Sequence, residues 1–160
     1  MSNRTSVTLF VLPKHREEVE LLLEGNQELP EIILSHTDDS GVPLEELAIN
    51  DVVEGFLNSV KEIVKASIPF DLIVHPACDI VPYKFCFRID VDGSHLNIKL
   101  PYRGGATLDV HEVLEAKSKG DLELFLMKEL FISELVDWKN QLSLLDERDQ
   151  NTKLLNLKQL

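Results

Sequence analysis

A chain of 160 residues in which 44% are hydrophobic has the usual size of one domain and enough apolar material for one sizeable core. Sixteen basic against twenty-eight acidic side chains leave a formal charge of −12, which repels a phosphate backbone and argues against nucleic acid as a partner. No stretch approaches the roughly twenty apolar residues of a spanning helix, and the N-terminus lacks the apolar core and cleavage site of a secretory signal. The expectation is a soluble, cytoplasmic protein without membrane attachment.

Ser6 to Leu12 is apolar and β-branched without clean alternation, as in a central strand buried on both faces. Pro13 ends it and opens a short helix in which Val19, Leu22 and Leu23 recur among glutamates, closed at Gly25. Glu31 to His36 reads as a second strand, followed by the turn-rich Thr37-Asp38-Asp39-Ser40-Gly41. From Leu44 to Ala66 apolar residues keep spacings of three and four, which predicts helix, restarted where Asn50 or Asp51 caps a second segment. Phe70 to Val74 is a further strand.

Pro82 to Arg103 carries the clearest local pattern. Tyr83, Phe85, Phe87, Ile89 and Val91 alternate with Lys84, Cys86, Arg88 and Asp90. Leu96, Ile98 and Leu100 alternate with His95, Asn97 and Lys99, and Asp92-Gly93 supplies the turn of a hairpin. Phe85, Phe87, Leu96 and Ile98 are expected to share a face buried under helices. A short helix over Asp109 to Lys117 follows, then a longer one from Asp121 to about Leu145 whose apolar residues cover more than one stripe. The sum is an α+β fold in one domain over 1–149. It has a mixed sheet of about five strands around a central antiparallel hairpin (83–100), packed by helices. Residues 150–160 read as a mobile tail.

Three groups of residues could carry chemistry. His75, Cys78 and Asp79 bring an imidazole, a thiol and a carboxylate within five positions, a set that can bind zinc or pair a nucleophile with a base. They lack a further ligand, so neither a metal nor another cofactor is expected; the plain alternative is a strand-end loop shaped by its prolines. Tyr102-Arg103-Gly104-Gly105 resembles an anion-holding turn but lacks the spacing of a phosphate loop. Lys84, Arg88 and Lys99, with Cys86, His95 and Asn97, form a polar hairpin face that could take an acidic ligand or be solvated sheet. Cys78 and Cys86 are too few for a disulfide framework and are expected as free thiols.

Two functions of different class follow. The first is a non-catalytic acidic protein of bacterial accessory, immunity or antitoxin kind that engages a basic protein partner. Residues 1–81 hold five basic against fifteen acidic side chains, and residues 109–149 hold five against eleven. The wide apolar arc of helix 121–145 would meet that partner or a second copy. The second is a small enzyme or ligand-binding protein using the 75–79 loop with Arg103 or His111.

Overall fold

The computed structural model describes residues 3–101 and 108–158. Its strands are β1 (Arg4–Val11), β2 (Ile32–Thr37), β3 (Pro43–Val53), β4 (Phe70–Val74), β5 (Tyr83–Ile89) and β6 (His95–Pro101). The helices are α1 (Arg16–Gly25), α2 (Val60–Lys65), α3 (Val110–Lys119), α4 (Leu122–Val136) and α5 (Trp138–Lys158). The strands form one sheet in the order β2-β3-β1-β4-β5-β6, with every neighbouring pair antiparallel. The α+β class stands. The sheet has six strands rather than five, is antiparallel rather than mixed, and carries the β5–β6 hairpin at one side rather than at its centre.

The extra strand is β3, in the segment expected to be helical. A strand covered on both faces has no polar side, so its apolar residues fall at irregular spacings that also fit a helix. Leu47 and Ile49 enter one core cluster, and Leu44 enters another on the opposite face. Asn50 and Asp51, expected to cap a helix, form a bulge instead: Thr5 pairs with Val52 and Val7 with Ile49, so the two residues oppose Ser6 alone. Asp51 takes a φ of 60° there, a conformation that Asp tolerates better than most residues. The β2–β3 turn is closed by the Asp38 carboxylate, which accepts from the backbone N–H groups of Ser40 and Val42 at 3.0 and 2.8 Å.

Leu9, Val11, Leu47, Phe70, Leu72 and Phe87 project from the first face of the sheet into the main core. Val19 and Leu23 of α1 and Ile63 of α2 belong to the same cluster and cap that face. Glu28 anchors α2 by accepting from the backbone N–H groups of Asn58 and Ser59 at 2.6 and 3.0 Å. The second face carries a smaller cluster of Leu12, Val42, Leu44 and Trp138, flanked by Phe10, Leu142 and Leu145.

The hairpin departs from expectation in register. Phe85 pairs with Lys99, Cys86 with Ile98, Phe87 with Asn97 and Arg88 with Leu96. Directly paired residues share a face, so Leu96 and Ile98 lie with Arg88 and Cys86 on the second face, away from Phe85 and Phe87. The reason is the turn. Val91 belongs to it rather than to the strand: Ile89 pairs with His95, which leaves five residues in the connection. That length shifts the inferred pairing by one residue and reverses the face of the whole return strand.

The helix expected over 121–145 is two helices. Asp137 adopts an extended conformation, φ −64° and ψ 128°, and its side chain accepts from the N–H of Asn140 at 2.9 Å, capping α5. The break turns Trp138 onto the second face. Residues 150–158, expected as tail, continue α5.

Candidate functional site

Where α5 meets the sheet, a carboxylate and a guanidinium are buried together. Asp71 lies within β4 and Arg88 within β5, at 4% and 1% exposure. Arg88 Nη2 lies 2.7 Å from Asp71 Oδ1, and Lys84 Nζ lies 2.9 Å from Oδ2. Trp138 Nε1 donates to the same Oδ2 at 3.1 Å, and its ring stacks on the Arg88 guanidinium 4.2 Å from the centroid. Arg88 Nη1 donates to the carbonyls of Phe70 and Phe87 at 3.0 and 3.1 Å, and Nη2 to that of Val136, freed by the helix break. Gln141 completes the contact: its amide oxygen accepts from Ile89 N at 2.8 Å and its nitrogen donates to Ile89 O at 3.0 Å.

Burial alone raises the pKa of Asp71, but the adjacent charges of Arg88 and Lys84 outweigh it and hold the carboxyl below its usual range. Burial, together with the nearby Asp71 carboxylate, pushes the neighbouring Cys86 thiol up to about 12. These groups face one another and the underside of α5 rather than a cleft, so the cluster clasps a helix to a sheet.

The expected polar hairpin face is divided by the register. Lys84 and Arg88 are part of the clasp and Cys86 lies beside it, whereas Lys99 is exposed on the other face, its ammonium 4.4 Å from the Tyr83 ring centroid. His75 extends the β1–β4 pairing, its N–H donating to Ser6 O at 3.1 Å, and its Nε2 lies 2.7 Å from Thr8 Oγ1. Cys78 and Asp79 are exposed in the loop beyond, Cys78 with a φ of 42°. His111 is exposed in the first turn of α3. Arg103 and the rest of the Tyr102-Arg103-Gly104-Gly105 turn lie outside the described residues. Among the described residues no group of three or more His, Cys, Asp or Glu side chains is placed to hold a metal ion.

The most unusual surface is on α3 and α4. Although α4 is apolar along most of its length, none of its residues is buried. Leu122, Phe125, Ile132 and Val136 are half-buried on its inner side, while Leu124, Leu126, Met127, Leu130 and Phe131 are 40–63% exposed on the outer side. Val110 and Leu114 of α3 extend the exposed apolar surface. Asp109, Glu112, Glu115, Asp121, Glu123, Glu129 and Glu134 set acid against Lys117, Lys119 and Lys128 along the same two helices.

The chain matches no protein-family model, and neither a curated protein nor a solved structure is similar to it. No helix among the described residues is long and apolar enough to cross a membrane.

Proposed function

We propose that this protein is a non-catalytic interaction module, of bacterial accessory, immunity or antitoxin kind, whose α3–α4 surface docks a partner protein with an apolar stripe and a basic rim. The observation that carries this reading is α4: a fifteen-residue, largely apolar helix with no buried residue. Monomeric proteins rarely expose contiguous apolar surface on this scale, and such surface usually marks an association site. The excess of carboxylates along α3 and α4, in a chain of charge −12, favours a basic partner and speeds its approach. The docking mode proposed is a partner helix laid along α4, its anchors at helical spacing meeting the exposed Met127 and Phe131. Such a role fits the cytoplasm, where the free thiols Cys78 and Cys86 would stay reduced.

Affinity capture from the native host at low and high salt tests the proposal, with Met127→Glu/Phe131→Glu as the comparison. The expected result is one basic protein that binds the wild type directly when purified, releases with salt and is lost by the double variant. Retention of that partner by the double variant would refute the α4 site. Turnover or metabolite binding abolished by Cys78→Ser would replace the proposal with the small-enzyme reading.

A further inference from the structure

We infer that the helix docked on α4 carries two cations about three turns apart, held by Glu123 and Glu134 at the two ends of the exposed apolar stripe. The inference rests on the α4 reading above and adds to it a register and a charge pattern. Glu134 follows Glu123 by eleven positions, close to three full turns, so both carboxylates lie on one line along the helix, about 16 Å apart on its axis. Met127 and Leu130 fall between them near that line, with Leu126 and Phe131 on either side, and all four are exposed. Lys128 is five positions from Glu123, which turns it about 140° round the axis and off the line. The stripe is thus uncharged along its middle and acidic at both ends.

Glu134 is the residue that its own helix does not explain. Glu123 lies in the first turn of α4, where the helix dipole favours a carboxylate. Glu134 lies in the last turn, where the dipole opposes one, and no basic residue in that turn offsets it. Asp137 adds a like charge three positions on, and Leu130 and Phe131, one turn back, offer the carboxylate no hydrogen bond. Among the described residues neither glutamate joins an ion pair, whereas Glu115 of α3 is taken by Lys119 and Asp109 caps α3. A charge placed against its local surroundings is accounted for when a bound cation faces it. Arginine fits better than lysine: its planar fork meets a carboxylate with two hydrogen bonds, and its stem covers the apolar side chains alongside.

Fluorescence anisotropy of labelled synthetic peptides, titrated with the full chain, tests the inference. The matched peptide is an amphipathic helix with two arginines spaced as the two glutamates are and leucines at helical spacing between them. The control peptide has the same composition and net charge, with both arginines moved to the opposite face. The matched peptide should bind about tenfold more tightly than the control, and Glu123→Gln and Glu134→Gln should each weaken it about threefold while leaving the control nearly unchanged. The double variant Glu123→Arg/Glu134→Arg should recover the matched affinity for a peptide with glutamates in place of both arginines. Equal binding of the two peptides, or Gln variants without effect, would overturn the paired cations; if Met127→Glu/Phe131→Glu still abolished binding, the α4 site would stand. Binding of neither peptide, or binding that Met127→Glu/Phe131→Glu leaves intact, would remove the α4 site and the inference with it.

Discussion

Replacing Asp71 by leucine tests whether the clasp holds α5 to the sheet. The substitution removes the acceptor for three donors that differ in what they can do next. Lys84, with 22% of its side chain exposed, can turn its ammonium to water and loses little. Trp138 Nε1 is left buried without an acceptor, at about 1 to 3 kcal/mol. Arg88, at 1% exposure, keeps its carbonyl partners but loses its countercharge, and breaking a buried ion pair from one side costs about 3 to 5 kcal/mol. The single variant should therefore lose about 4 kcal/mol or more in guanidinium unfolding. Arg88→Met in the same background removes the stranded charge and should recover about 2 kcal/mol, although the carbonyls of Phe70 and Val136 then lose a donor. A double variant as unstable as the sum of both singles would refute the reasoning. The pH dependence has a definite sign. The Asp71 carboxyl titrates below its unfolded value of about 3.9, so its contribution is present above that pH and is lost as pH falls through the depressed folded value. Asp71→Leu should flatten that acid limb.

Three further outcomes are expected. Gly55→Ala should destabilise by about 2 to 3 kcal/mol, because its φ is 71° and a Cβ would come within 2.5 Å of Val74 Cγ1; Gly41→Ala, with a φ of 87° but open space, should cost only about 1 kcal/mol, and equal losses in thermal unfolding would count against the packing argument. Phe87→Ala, at a fully buried ring 5.5 Å from that of Phe70, should cost about 3 to 5 kcal/mol, and a denaturation midpoint no lower than that of a surface variant would contradict its place in the core. At pH 8 a thiol reagent should modify Cys78 at once and Cys86 only on unfolding, since a thiol titrating near 12 is ionised to only about one part in ten thousand; two equally fast thiols, followed by mass spectrometry, would show that β5 is open to solvent.

Elements were legible where one buried side or a short, isolated apolar run set them apart: Ser6 to Leu12 and Phe70 to Val74 read as strands from composition and length and answer to β1 and β4. Alternation marked β5 and β6, and α1 and α3 were marked by helical spacing or terminal residues. Strand β3 was not legible because, lacking alternation like β1, it also runs without a clear break into the residues of α2, and the apolar spacings from Leu44 to Ala66 then read as one helical pattern. The hairpin register was not legible for a related reason. Apolar residues on both returning strands suggest one buried face when there are two, and only the length of the turn decides between them. The break at Asp137 had a signal that a continuous apolar pattern hides: an Asp three residues before Asn140, free to cap a new helix.

The clasp was hard to find from sequence because its members look like unrelated exceptions. Asp71 interrupts the apolar run FDLIV, Arg88 interrupts FCFRI, and Trp138 lies some fifty residues further on. Each alone reads as a solvated residue on a strand or as a core aromatic. Together they satisfy the rule that a buried charge needs a partner and hydrogen-bond donors, and β4 and β5 must pair Asp71 with Cys86 before the rule can apply. The apolar arc of α4 was legible because it depends on composition rather than on tertiary pairing. Too many large apolar residues for one stripe require a second surface, whatever the first packs against. The helix break strengthens that argument: it sends Trp138 to the sheet and leaves α4 with no buried residue. Apart from the Val136 carbonyl that Arg88 holds, the helical part of the clasp lies after Asp137, whereas the exposed residues proposed to meet a partner lie before it, so substituting an outward residue such as Met127 can test association without removing a clasp contact.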